Sequence, residues 1–184
     1  MKKALIFAAS TTLLLLQSCI PSIYPLYSDD TVVFQKEVLG SWRADNTAWI
    51  FEKAEDSAYK LTYKDEDEEA TFEAYMVRLG ENYFFDFFNL TPKYEDTDAF
   101  PIAPLIRTHS FARVELKGNQ MAVYFFDPTW LEGLVKQRKI RIKHETTTNG
   151  EIVLTAPTRD LQEFVKKYAG EKEAFADPSI FERQ

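Results

Sequence analysis

One cysteine, Cys19, is all that 184 residues contain, which rules out any intramolecular disulfide. Histidine is nearly as scarce. His109 and His144 share no repeated spacing, so they make a poor metal-ligand pair, and His144 alternates with Ile140 and Ile142 as an ordinary strand residue. Six glycines and eight prolines are too few for a fibre or a low-complexity coil. No apolar run reaches the ~20 residues of a spanning helix. The formal charge is −7 and the chain reads as lacking a basic tract that would neutralise a phosphate backbone, so nucleic acid is set aside as a partner.

Catalytic groupings are missing as well. Ser41 and Ser110 have no nucleophile elbow around them, and His109 next to Ser110 in one strand faces the opposite side. The run Asp65-Glu66-Asp67-Glu68-Glu69 could gather Ca²⁺, but it has neither the spaced ligands nor the glycine of an EF-hand loop and reads as a solvated hairpin tip. No nucleophile set or acid–base pair can be assembled, so no enzyme, cofactor or metal site is expected.

What the chain has in quantity is aromatic side chains: fifteen Phe, nine Tyr and three Trp within 45% apolar content. That is enough for one sizeable core and one domain. Its most specific segment is the first. Met1-Lys2-Lys3 is a positive n-region, Ala4 to Leu16 is apolar, and Gln17-Ser18 leads to Cys19, the pattern of an export signal. Pro21 and Pro25 follow too closely for a helix to continue.

Leu16-Gln17-Ser18-Cys19 resembles the lipobox of bacterial lipoproteins, with a free buried thiol as the alternative reading of Cys19. The resemblance implies cleavage after residue 18, acylation of Cys19 and a mature chain fastened to a bilayer and facing the periplasm; Ile20 gives no decisive sorting cue, so the inner and outer membranes both stay open, with the outer preferred. Two or three acyl chains suffice for this, at ~0.8 kcal/mol per buried methylene. Loss of Lys2 and Lys3 leaves 20 basic against 29 acidic side chains, a balance expected to disfavour docking on anionic headgroups. Residues 1–18 are thus read as the signal, 19–31 as a lipidated linker and 32–184 as the folded domain. The linker carries Ile23, Tyr24, Leu26 and Tyr27, which either dock on the domain or sit at the lipid headgroups.

From Val32 onward the dominant period is two. "GSWRA", "AWIFEK", residues 58–64, residues 70–79, "NYFFDFFNL", "SFARVEL", "MAVYFF", "KIRIKHE" and "EIVLT" read as about nine short strands, with Gly80-Glu81, Lys117-Gly118-Asn119 and Asn149-Gly150 as turns. Such close spacing suits an antiparallel barrel or sandwich. "NYFFDFFNL" is aromatic on both faces and must be covered on both. Two helices interrupt. "DPTWLEGLVKQ" has Asp127 as cap and Trp130, Leu131, Leu134 and Val135 on one face; "PTRDLQEFVKKYAG" has Thr158 as candidate cap and Leu161, Phe164, Val165 and Tyr168 at helical spacing.

Leu39-Gly40-Ser41-Trp42 resembles the Gly-x-Trp signature of lipocalin-type barrels, as does a last strand followed by a helix. The resemblance implies a mainly β, antiparallel up-and-down barrel of about eight or nine strands, with a short inserted helix and a C-terminal helix. It also implies an arginine over the tryptophan just beyond the last strand, where Ala156 stands and Arg159 is the nearest cation. A wider likeness runs through Tyr24-Pro25-Leu26-Tyr27, Gly40, Trp42 and Leu161 to Phe164, and is to a family of Gram-negative lipoproteins; it implies no activity. Alternation places Tyr63, Phe72, Phe85, Phe87 and Phe125 on the inner face, either lining a site for a hydrophobic small molecule or lipid or filling the core. The connection "TPKYEDTDAFPIAPLIR" is long enough to be a rim or lid loop. The competing expectation is an envelope interaction or inhibitor protein that uses exposed aromatics and acidic loops against a protein partner.

Overall fold

The computed structural model of the chain describes residues 20–66, 68–90 and 107–184. Cys19, the signal and most of the proposed rim loop lie outside these residues. After β1 (Val32–Val33), alternating sequence produces a continuous antiparallel meander: β2 (Gly40–Ala44), β3 (Thr47–Lys53), β4 (Tyr59–Lys64), β5 (Glu69–Leu79), β6 (Asn82–Asn89), β7 (His109–Lys117) and β8 (Gln120–Phe125). The chain then leaves the sheet for α1 (Pro128–Lys136), the hairpin of β9 (His144–Thr146) and β10 (Ile152–Leu154), and α2 (Thr158–Tyr168). It returns as β11 (Ser179–Arg183). β11 inserts between β8 and β2, and β5 pairs with β6, so eight antiparallel strands close on themselves. Closure removes the open edges that a half-hydrophobic sheet would otherwise expose. β1 adds to β5 as a ninth strand, Val32 opposite Val77.

Period two sorts the side chains into two cores. Inside the barrel sit Trp42, Trp49, Phe51, Tyr59, Leu61, Met76, Phe85, Phe87, Val123 and Phe181. The outer face of β5 to β7 contributes Val77, Leu79, Phe84 and Phe111 to a second core, roofed by Leu131 of α1, Leu161, Phe164 and Val165 of α2, and Ile152 and Leu154 of β10. The doubly aromatic β6 is therefore covered on both sides, as its sequence requires.

Two expectations about the strands need correction. Residues 139–154 do not supply barrel strands: β9 and β10 pair with each other outside the barrel, and only His144 and Glu145 of "KIRIKHE" belong to that ladder. The barrel is closed by "SIFER", whose short alternation follows helix α2 and was not read as a strand. The helix caps divide similarly. Asp127 Oδ1 accepts from Thr129 N at 2.7 Å and Trp130 N at 3.4 Å, as expected. Thr158 does not cap α2; Pro157 stands at that position without a side-chain cap bond, and the Thr158 hydroxyl donates to Pro25 O at 2.8 Å.

The correction to the last strand resolves the missing arginine. Arg183, in β11, stacks its guanidinium 4.3 Å from the Trp42 ring, and Trp42 is fully buried. Neither Ala156 nor Arg159 has this place. Arg183 donates to Leu39 O at 2.8 Å and also to Glu37 O, while Trp42 Nε1 donates to Val38 O at 2.8 Å. A short 3-10 turn, Lys36–Val38, is thereby tied across one end of the barrel with Val38 buried beneath it. Gly40 serves this closure through its φ of +115°, and a Cβ there would stand 3.1 Å from Arg183 Nη1.

The segment expected to be a linker docks on the domain. Ser22 N donates to His109 O at 2.9 Å and His109 N returns a bond to Ser22 O at 2.8 Å; Leu154 N donates to Pro21 O and Ile23 N to Leu154 O. Residues 21–23 thus form an added strand between β7 and β10. Ile20 is 5% exposed, and Ser22 and Leu26 are fully buried.

Candidate functional site at the open end of the barrel

The end opposite the Lys36–Val38 turn is where β2 turns into β3, β4 turns into β5, β6 runs out at Asn89 and β7 resumes at His109. On the inner face Ala44 pairs with Thr47 at this end, and an aromatic row lies one step deeper. Trp42, Trp49 and Tyr63 stand side by side on β2, β3 and β4, with Ala70 continuing the row on β5, while Phe87 of β6 pairs with Ala74 at the level of Tyr59.

The five candidate residues fall into two groups. Phe85 and Phe87 are buried, at 0% and 5% exposure, and belong to the packed interior. Tyr63, Phe72 and Phe125 are half-buried around them. The rings are linked: Phe87 lies 6.4 Å from Phe72, 6.3 Å from Phe125 and 5.5 Å from Phe85, edge-to-face or tilted. Trp49, which sequence reasoning did not single out, joins them, 5.5 Å from Phe87 and 4.6 Å from Phe181.

Trp49 Nε1 is buried and has no hydrogen-bond partner among the described residues. An unmade bond of this kind costs about 1–3 kcal/mol, and it is set in a wall of rings that offers no acceptor. The contrast with Trp42 is chemical. The same donor in the neighbouring strand is satisfied by Val38 O. Tyr63 places its hydroxyl on the rim, donating to Asp65 Oδ2 at 3.2 Å; burial, with the Asp65 carboxylate adding to it, raises its pKa.

The barrel interior toward the closed end is filled. Phe51 stacks on Phe85 at 5.3 Å, and Tyr59 is fully buried with its hydroxyl bridging Gln35 N and Gln35 O at 2.7 and 3.0 Å. Two concavities, of about 520 and 350 Å³, lie on the outside, one lined by Phe34 and residues 53–57 and the other by Arg43, Asn46, Ala48 and residues 64–66. Neither contains any of the five candidates.

A second polar feature was missed by the sequence reading. Asp86 is fully buried on the outer face of β6; its Oδ1 meets His109 Nδ1 at 2.8 Å and its Oδ2 accepts from Leu26 N at 2.5 Å. Tyr27 stacks on Tyr75 at 3.9 Å beside it, and Phe88 tilts against His109 at 4.8 Å. The only signal was one carboxylate in an otherwise aromatic strand. The pair has a structural partner in Leu26 rather than a nucleophile: the Ser22 hydroxyl donates to Tyr24 O, and Ser110 sits opposite Phe87 on the inner face. His144 is likewise occupied, its Nδ1 2.8 Å from Ile142 O.

Among the described residues no group of three or more His, Cys, Asp or Glu could hold a metal ion, and no helix is long and apolar enough to cross a membrane. Comparison with protein-family models, curated proteins and solved structures finds no match to this chain.

Proposed function

We propose that this chain is a lipid-anchored, periplasm-facing protein of the outer membrane, held by acylated Cys19, that binds a hydrophobic small molecule or lipid at the open end of its barrel. The observation that carries the binding reading is the buried Trp49 indole N–H, without a hydrogen-bond partner among the described residues, in the inner-face cluster that holds Tyr63, Phe72, Phe87 and Phe125. Aromatic walls supply area for an apolar body, and one buried donor supplies orientation, the usual division of labour in small-molecule sites. Because the interior toward the closed end is occupied by Phe51, Tyr59 and Phe85, the ligand is held at the mouth rather than swallowed. An acceptor on that ligand, a carbonyl or carboxylate oxygen, completes the Trp49 bond.

The test is a fluorescence titration of the mature protein with cis-parinaric acid, which combines a conjugated apolar chain with a carboxylate. Saturable binding that weakens about tenfold in Trp49→Phe supports the reading, tenfold being the equivalent of one net hydrogen bond of about 1.4 kcal/mol. Binding that is absent, or unchanged in Trp49→Phe, removes it in favour of a protein-interaction role. The anchor is tested separately by intact mass of the membrane-extracted protein, where acyl chains on a chain beginning at Cys19 are the expected result.

A further inference from the structure

The chain as a whole is acidic, yet five of its cations fall within eight residues: Lys136, Arg138, Lys139, Arg141 and Lys143. The sequence reading passed over this tract because the global charge hides it. Lys136 is paired with Glu132 at 2.8 Å. Arg138, Lys139, Arg141 and Lys143 are exposed and make no ion pair among the described residues. Ile140 and Ile142 pack inward on the outer core, which leaves the odd-numbered cations alternating on the solvent side.

The position of this tract matters more than its charge. Thr155 N donates to Lys143 O at 3.0 Å, His144 pairs with Leu154, and Leu154 is bonded to Pro21 and Ile23. Lys143, at one end of the cationic segment, is therefore two strand spacings, about 10 Å, from the strand at residues 21–23, and Arg141, Lys139 and Arg138 run on from it past the level of Ile23. That strand is fixed on both sides, with Ile20 in the core, so no free tether separates the acylation point from the sheet. Its solvent side carries half-buried Pro21 and Ile23, and the neighbouring β10 adds half-buried Val153. Glu145 pairs with Val153 and so shares this face, level with Pro21, while Glu151 lies further toward the hairpin tip, on the side from which Ile20 enters.

We infer that this face lies on the bilayer, with Arg138, Lys139, Arg141 and Lys143 seated on anionic phospholipid headgroups while the acyl chains of Cys19 enter the same membrane from the other end of the face. The inference rests on the lipid-anchor reading for its setting. Charge complementarity selects the occupant, because four exposed cations without an ion pair among the described residues outnumber Glu145 on the same face and match a surface of phosphates. Each cation contributes about fivefold to membrane partitioning, enough to fix orientation in a protein that the acyl chains already hold. The acidic bulk of the barrel is then turned away from the headgroups.

The experiment removes the acyl chains so that only the face is tested. The mature chain with Cys19→Ser, its fold checked by near-ultraviolet circular dichroism and a cooperative melt, is floated with vesicles of phosphatidylcholine alone or with 30 mol% phosphatidylglycerol. The expected result is flotation with the anionic vesicles at low salt and release at about 0.5 M, where the Debye length falls below ~5 Å. Combined Arg138→Gln, Lys139→Gln, Arg141→Gln and Lys143→Gln should weaken it at least tenfold. A charge-matched set, Lys53→Gln, Lys60→Gln, Lys64→Gln and Lys117→Gln, should not. Equal binding to both vesicle types, no binding to either, or an equal loss in the two variants overturns the inference. An unacylated Cys19 in the native protein instead defeats the anchor reading, and leaves the vesicle result standing as a measurement of the face alone.

Discussion

Trp42 and Trp49 face the barrel interior side by side on adjacent strands, and replacing each with phenylalanine separates a structural indole from a functional one. In Trp42→Phe the bond to Val38 O is lost, Val38 O is left unpaired in a buried place, and the Arg183 guanidinium keeps only a smaller ring to stack on. These terms are about 1 kcal/mol for the bond, 1–2 for the orphaned acceptor and the space left behind, and up to 1 for the weakened cation–π contact, roughly 3 kcal/mol together. Trp49→Phe loses the same atoms from a site that is 7% exposed, at about 1–2 kcal/mol. It also removes a donor that has no partner among the described residues and whose burial costs about 1–3 kcal/mol, so the net change is close to zero. Urea denaturation, followed by far-ultraviolet circular dichroism so that the missing indole does not bias the signal, gives both values on one scale. Two variants that lose equal stability would mean that the Trp49 N–H is satisfied in the folded protein, and the argument for a ligand acceptor would fall.

Other consequences follow from particular contacts. Leu26→Ala empties a fully buried position on the outer core and should cost about 2–4 kcal/mol in the same assay; a cost below 1 would mean that the N-terminal segment is not seated. Gly40→Ala combines a left-handed φ with a Cβ 3.1 Å from Arg183 Nη1, and a loss of about 1–3 kcal/mol, seen as a lower Tm, is expected. Burial pushes the Tyr59 hydroxyl up to about 12, with its Gln35 bond pulling down and Glu37 pushing up. Because the folded state holds this proton more tightly than the unfolded chain, its contribution is complete below pH 10 and is lost as the pH rises through 12. That amounts to on the order of 2 kcal/mol, and Tyr59→Phe should flatten this part of the alkaline stability curve.

Period-two alternation made the meander from β2 to β8 legible, because each strand is half-buried and each turn carries its glycine or polar pair. The same rule failed at the two places where context outweighs pattern. Residues 139–143 alternate as a strand does, but only Lys143 there bonds to a neighbouring strand, so alternation records a packed face and not barrel membership. "SIFER" alternates over five residues only, too few to stand out after a helix, yet it closes the sheet and brings Arg183 to Trp42. Alternation placed the five aromatic positions on the inner face but could not separate the buried Phe85 and Phe87 from the half-buried Tyr63, Phe72 and Phe125. That division depends on depth along the barrel axis, which periodicity does not encode. Trp49 was hidden for another reason: what distinguishes it is a partner that is missing.

Asp86 links these levels. A carboxylate buried on the outer face of a barrel strand is costly unless its oxygens are met, and here one meets His109 and the other the backbone of Leu26. The Leu26 bond can form only when the N-terminal segment lies in place, and that placement in turn brings Ser22 against His109 and Pro21 against Leu154. The cost of burying Asp86 is offset by contacts that exist only when the segment is seated, so the carboxylate disfavours any state in which residues 20–26 swing free as a tether. An acyl group on Cys19 would then impose an orientation as well as an attachment. The open end of the barrel and the cationic face would stand at fixed angles to the bilayer, because the only chain between them and the anchor is a strand held by hydrogen bonds on both sides.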